Sequence, residues 1–202
     1  MSQIITIGRE FGSGGREIGR RLAEKLQFAY YDQEIVSELV KRTYFTEEYI
    51  QRIEENGILP LLPITVGRTF YPQPSALLEQ NHSVFTEQSN VIKEMAKKSD
   101  CVIVGRCANY VLREHQPFRI FVYADMSSKL ARCREKGKSL IDLTDKELNQ
   151  KILSIDKSRA RYHEFFTDQT WGEKSNYDLC VNTSFVDIKN IVSAISEFMK
   201  RV

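Results

Sequence analysis

A three-layer α/β fold with a central parallel sheet is what this sequence predicts, and two observations predict it. Short β-branched apolar runs alternate with amphipathic helical stretches along the whole chain. The runs are continuous and not alternating in polarity, as strands covered on both faces are. No internal repeat, low-complexity tract or linker divides the 202 residues, so a single domain is expected.

The elements follow in order. Residues 4–7 (Ile4-Ile5-Thr6-Ile7) read as a buried strand bounded by glycine. A glycine-rich turn leads into a helix over 18–26, with Ile18, Leu22, Ala23 and Leu26 on one face. A second strand over 28–31 ends at Asp32, and helices are expected over 34–42 and 47–55. Prolines 60, 63, 72 and 74 break the pattern between 57 and 74, where a mobile or irregular segment is expected. A long helix over 85–97 turns Val91, Ile92, Met95 and Ala96 inward. Residues 101–104 form the clearest core strand, and 119–123 another. Helices over 127–136, with a serine cap, and over 148–162 precede a last short strand at 177–181. A helix over 188–199 closes the chain.

Composition excludes several classes. The chain is 42% hydrophobic and 28% charged, ordinary for a globular protein, with a net charge of +2. That balance makes no general case for nucleic acid or a membrane surface, so an anion site must be a local cluster. No apolar run approaches the roughly 18 residues a membrane helix needs, and the start lacks the basic and apolar regions of a signal peptide. Cys101, Cys107, Cys133 and Cys180 form no CxxC pair and read as reduced, mostly buried thiols of a cytoplasmic protein. His82, His115 and His163 are scattered, so no metal site is expected.

The most informative stretch is Gly8-Arg9-Glu10-Phe11-Gly12-Ser13-Gly14-Gly15-Arg16-Glu17-Ile18-Gly19, between strand and helix. Glycines let the backbone approach an anion closely, and the helix N-terminus adds about half a positive charge. A tight turn needs one or two glycines, not four within a few residues; phosphate is the natural ligand.

From residue 4 to Asp32 the chain resembles the cytidylate kinase-like family, through its FGSGGREIG loop and its Tyr30-Tyr31-Asp32 strand end. The resemblance continues through Val104-Gly105-Arg106, the basic helix, Tyr177-Asp178-Leu179 and Asn182-Thr183-Ser184. It implies a P-loop NTPase three-layer sandwich with a helical lid. One kinase-like domain over 1–202 would carry an acceptor-side insert at about 46–80 and a lid at about 150–175. It further implies ATP and Mg²⁺, and a small-molecule nucleotide as the partner.

The loop departs from G-x-x-x-x-G-K-[ST], whose lysine reaches the β- and γ-phosphates. Aligned without gaps to a cytidylate kinase, Gly15 occupies the lysine slot, Arg16 follows, and Glu17 replaces a threonine; a shift by one residue puts Arg16 in that slot but lengthens the loop. Gly12, Ser13, Gly14 and Gly15 are expected to wrap the donor phosphates, with Arg16 supplying the charge. Glu17 either holds Mg²⁺ through water or is a first-turn acid that complements the helix dipole.

An arginine at the carboxyl end of a core parallel strand faces the crevice where α/β folds bind ligands. Arg106 is so placed, and the resemblance implies that it holds the acceptor phosphate. In the cytidylate kinases the next residue is typically Asp, where this chain has Cys107. Lys157, Arg159 and Arg161 alternate, so on a helix they fan round the axis. By resemblance they clamp the transferring phosphoryl group; by composition alone they are a solvated basic face. Asp32 is either near the acceptor or Mg²⁺, or caps the helix that follows. Trp171, Tyr162, Phe165 and Phe166 either stack a base or, as aromatics mostly do, pack a core.

The expected function is transfer of the γ-phosphoryl group of ATP to a nucleoside monophosphate, CMP first. A nucleotide-binding module with little or no kinase activity is the alternative, and a different small phosphorylated or hydroxylated acceptor is a third. No partner beyond the nucleotide is implied, and the oligomeric state stays open.

Overall fold

A computed structural model describes residues 2–56, 65–66, 69–70, 75–136 and 142–199. Five parallel strands form the central sheet: β1 (Ile4–Arg9), β2 (Ala29–Tyr31), β5 (Cys101–Val104), β6 (Phe118–Tyr123) and β7 (Leu179–Asn182), in the order β2-β5-β1-β6-β7. A two-stranded ribbon, β3 (Thr65–Val66) with β4 (Thr69–Phe70), stands apart. The rest of the proline-rich segment expected to be irregular lies outside the described residues. The helices are α1 (Gly15–Leu26), α2 (Gln33–Arg42), α3 (Glu47–Asn56), α4 (Ser75–Lys98), the single-turn α5 (Ala108–Val111), α6 (Met126–Lys136), α7 (Asp145–Thr167) and α8 (Ile188–Met199).

Strand pleating sorts the core into two layers. Ile4, Cys101 and Ile103 face one side, where Ile35, Val36 and Leu39 of α2 and Val91, Ile92 and Met95 of α4 cover them. Ile5, Ile7, Val102, Val104, Ile120 and Val122 face the other, under Ile18 and Leu22 of α1 and Ile191, Val192 and Ile195 of α8. The doubly covered sheet explains why its strands read as unbroken apolar runs. Two smaller clusters support the functional end. Cys133, Leu148 and Ile152 pack α6 against α7 beneath Phe11. Ile53, Val84, Cys107 and Tyr162 join α3, α4 and α7.

All five core strands lie where the sequence places them, within two residues. Three helical details differ. Helix α4 starts at Ser75, well before residue 85. Helix α7 starts at Asp145, because Thr144 and Glu147 form a capping box, and runs on to Thr167. The expected serine cap of α6 is supplied instead by Asp125, whose Oδ1 accepts from Ser128 N–H at 2.8 Å and from Ser127 Oγ at 3.1 Å.

Candidate functional site

β1 lies centrally, flanked by β5 and β6, so the loops leaving these strands converge at one end of the sheet. The loop after β1 turns through left-handed glycines, Gly12 (φ 74°) and Gly14 (φ 84°), and enters α1 with Gly14 as its N-cap. A side chain at Gly14 would meet Ile188 Cδ1 at 2.7 Å, so that glycine is required for both conformation and space.

The loop is braced from below. Asp156 Oδ1 accepts from Phe11 N–H at 2.6 Å. The Lys129 ammonium, nearly buried, sits between Glu10 (2.8 Å) and Asp156 (2.9 Å). Thr183 donates its hydroxyl to the Ser13 carbonyl at 2.7 Å. Arg132 donates to Thr183 Oγ1 at 3.0 Å and to the Thr183 carbonyl, and reaches the Gly12 and Ser13 carbonyls at 3.5 Å. Ser13 is fully buried and its hydroxyl bonds back to the Glu10 carbonyl at 2.8 Å. Ser13 therefore shapes the loop through its side chain. Gly12, Gly14, Gly15, Arg16 and Glu17 line a cleft of about 330 Å³ over it, with Arg132 on its rim. Glu17 accepts from Arg21 Nε at 2.8 Å, an i,i+4 pair within α1.

A second cleft, of about 270 Å³, opens on the other side of Arg16. Its floor is the turn after β5, where Gly105 (φ 79°), Arg106 (φ 55°) and Cys107 (φ 54°) are left-handed in succession. For the two non-glycine residues such a conformation costs on the order of 1–3 kcal/mol each, and backbone strain of this kind gathers at ligand sites. The turn sends the buried Arg106 side chain to Asp32, Nη1 to Oδ1 at 3.3 Å, while Gln88 Nε2 donates to the Arg106 carbonyl at 3.3 Å. Arg16 Nε meets the other Asp32 oxygen at 2.7 Å. Asp32 occupies the N-cap position of α2 but makes no side-chain cap hydrogen bond. Of its two expected roles, capping is overturned, because two guanidiniums claim both oxygens.

Of Lys157, Arg159 and Arg161 on α7, Arg159 alone lines the clefts. Its Nη1 donates to the Arg9 carbonyl at 3.4 Å and its guanidinium lies 5.6 Å from the Phe11 ring centre. Lys157 and Arg161 are exposed and line neither cleft. The fan therefore presents one cation inward and two to solvent. Tyr162 and Trp171 line the second cleft, Trp171 standing edge-on to Phe121 at 5.3 Å. Phe166 stacks on Phe85 at 4.1 Å, and Phe165 packs against Phe166 and His82.

Several site residues escape sequence reasoning. Arg9 lines both clefts, as Arg16 and Arg159 do. Burial, and then the neighbouring guanidiniums of Arg159, Arg106 and Arg16, push Arg9 down to about 9. A signal for it existed, since Arg9 ends a core parallel strand just as Arg106 does. Asn109 and His163 have no comparable signal. They meet in the second cleft, Asn109 Nδ2 to His163 Nε2 at 3.5 Å, with His163 Nδ1 donating to the Gln169 carbonyl at 3.1 Å. Burial holds the His163 imidazole below its ordinary pKa. Among the described residues, no group of three or more His, Cys, Asp or Glu is placed to hold a metal ion.

Comparison with known proteins agrees with this geometry. The chain is 23% identical over 184 residues to a cytidylate kinase of Natronomonas pharaonis, covering 90% of this chain and 81% of that one. A crystal structure of an uncharacterized protein from Eubacterium ventriosum superposes with a TM-score of 0.70 at 25% identity, over 98% and 99% of the two chains. Shikimate kinase from Bacteroides thetaiotaomicron shares the fold, with a TM-score of 0.58 at 15% identity over 98% of each chain. The architecture is thus the P-loop NTPase α/β sandwich. Residues 4–185 match the cytidylate kinase-like family, and with nearly the whole chain inside that match, the protein belongs to it.

Proposed function

We propose that the protein is a phosphotransferase that moves the γ-phosphoryl group of ATP to a nucleoside monophosphate, with CMP as the first acceptor to test. One observation carries the reading: the loop cleft and the second cleft meet at a shared wall of guanidiniums, Arg9, Arg16 and Arg159. A donor phosphate over Gly12, Gly14 and Gly15 and an acceptor phosphate beside Arg106 would face each other across that wall. An acceptor phosphate is already an anion, so no general base is needed, and the chemistry reduces to positioning and charge neutralisation.

The roles follow from position. Backbone of residues 12–15 would hold the donor phosphates, with Ser13 fixing the loop's shape. Arg106 and Arg16, aligned by Asp32, would orient the acceptor phosphate. Arg159 would close over the transferring group, while Lys157 and Arg161 would attract nucleotide from solvent. Mg²⁺ would ride chiefly on the nucleotide phosphates, which suits an ion that keeps several waters and takes few carboxylates; Glu17 is the nearest candidate ligand on the loop. Family membership and the cytoplasmic expectation both fit this reading, and no described helix is long and apolar enough to cross a membrane.

A binding module with little or no turnover is the second reading. It is favoured by Gly15 in the lysine slot and by Cys107, which lines the proposed acceptor cleft where cytidylate kinases typically have Asp. Phosphoryl transfer from ATP, screened across CMP, dCMP, UMP, AMP and GMP with calorimetric ATP binding on the same sample, separates the two. Transfer to one monophosphate above background hydrolysis establishes the kinase and names its acceptor. ATP binding with no transfer to any of them sinks the CMP proposal and favours the module.

A further inference from the structure

The loop has no lysine between Gly8 and Gly19, yet the cation such a loop needs has a structural replacement that enters from the opposite side. We propose that Arg9, at the end of β1, supplies the phosphate-binding charge that a P-loop lysine supplies from the helix, and that Gly15 is glycine because Arg9 occupies the lysine's space.

Three contacts carry this. A Cβ built on Gly15 would collide with Arg9 Cβ and would lie 3.4 Å from Val122 Cβ. Any side chain in the lysine slot is therefore incompatible with Arg9 where it stands. Next, a Cβ on Gly105 would collide with Arg9 Nη1, with Cζ at 2.7 Å and Nη2 at 3.0 Å. The guanidinium thus lies across the strand-end glycine of β5, at the boundary where both clefts are lined by it. Finally, Arg9 Nε is buried without a hydrogen-bond partner among the described residues, a cost normally met by a ligand or water. Arg16 also lines both clefts but differs in two respects: its Nε is already engaged by Asp32 at 2.7 Å, and its side chain is 56% exposed.

The geometry suits the chemistry. In the transfer, the bond from the γ-phosphorus to the β,γ-bridging oxygen breaks as a bond to the acceptor phosphate oxygen forms, and ADP leaves with the bridging electron pair. Negative charge grows on the bridging and β-oxygens as the bond breaks. A guanidinium held between loop and acceptor cleft stabilises that charge without reorganising.

This inference rests on the phosphotransferase reading, and the test keeps the two separable. Four proteins are compared: wild type, Arg9→Ala, Arg16→Ala, and the exchange Arg9→Gly with Gly15→Lys, glycine being needed at position 9 because any Cβ there would meet a side chain at position 15. Calorimetry measures the gain in affinity of AMP-PNP over ADP, which reports the γ-phosphate contact without turnover. Transfer assays measure kcat, and thermal unfolding measures Tm. The expected result is a kcat loss on the order of 10²–10³ in Arg9→Ala, the usual cost of one preorganised donor, with the γ-phosphate gain falling about tenfold or more. Both return in substantial part in the exchange variant, which a merely structural role for Arg9 would not produce. Where Arg9→Ala lowers Tm, Arg9→Met keeps the packed stem and replaces it. A γ-phosphate gain kept in Arg9→Ala and lost in Arg16→Ala overturns the inference and returns the role to Arg16. An exchange variant that folds but recovers nothing also overturns it. Absence of transfer in wild type, with a γ-phosphate gain that depends on Arg9, overturns the phosphotransferase reading alone.

Discussion

On the proposed reading, the two clefts would recognise phosphate by different means. The donor cleft is a backbone device: left-handed glycines at 12 and 14, a helix N-terminus, and a serine whose hydroxyl turns inward to shape the loop. The acceptor cleft is a side-chain device, in which Asp32 aligns Arg16 and Arg106 and the wall is finished by Asn109, Tyr162, His163 and Trp171. A backbone site tolerates no added Cβ but is indifferent to most side chains. A side-chain site depends on each cation being held by its partner. If the clefts bind as proposed, the contrast teaches that donor recognition would be generic, whereas acceptor choice would reside in a handful of exchangeable side chains.

The sharpest way to break the contrast is Gly14→Val. The left-handed conformation costs a β-branched residue at least about 1–2 kcal/mol, and the side chain meets Ile188 Cδ1. ATP affinity by calorimetry should fall on the order of 100-fold; unchanged affinity would remove the loop backbone from the donor site. Arg106→Ala comes next. It should raise the acceptor KM by on the order of ten- to 100-fold while leaving ATP binding intact. Loss of ATP binding instead would put Arg106 on the donor phosphate. The same variant takes one of two partners from nearly buried Asp32, and breaking a buried pair costs up to about 3–5 kcal/mol. Its Tm should therefore drop, more than that of Arg16→Ala.

Arg16→Ala should raise the acceptor KM by roughly fivefold, the scale of a solvent-exposed charge contact, with ATP affinity changed by no more than about twofold. A larger loss of ATP affinity would return Arg16 to the donor phosphates. His163 distinguishes the clefts by pH. Its imidazole is buried neutral in the fold, with a pKa below the ordinary 6.5 or so, while the unfolded chain protonates it more readily. Stability from this group is present above about pH 6.5 and is lost as pH falls through the folded value. A Tm drop between about pH 7.5 and 5.5 should therefore shrink in His163→Gln; an unchanged drop would assign the acid sensitivity elsewhere. Lys157→Ala and Arg161→Ala should have the smallest effect, within about twofold on kcat, because single exposed charges contribute little. A large loss in either would mean that α7 moves to bring them inward.

Sequence reasoning reached the two sites unequally. The place and left-handed turns of the glycine loop were legible because the signal is local: four glycines within eight residues, between a β-branched run and an amphipathic helix. Arg106 was legible for a related reason, being a charge one glycine beyond four core residues. The bracing of the loop by Lys129, Arg132, Asp156 and Thr183 was not, since these residues lie more than 110 positions from it. Nor could the alternation of Lys157, Arg159 and Arg161 say which of them turns inward; that follows from how α7 seats against Phe11 and α6.

By itself the sequence determined the strand and helix order, the doubly covered sheet and the place of the phosphate loop. Periodicity, glycine conformation and strand-end charge are properties of short segments, and they survive without the rest of the chain. Tertiary structure alone decided that Asp32 aligns two arginines in place of capping α2, that Ser13 faces inward, and that Arg9 lies across Gly105 in space left by Gly15. Each of these depends on side chains from strands distant in sequence meeting at the end of one parallel sheet. Ion pairing and steric exclusion act over a few ångströms of space, not along the chain, and so they are settled only when the sheet closes.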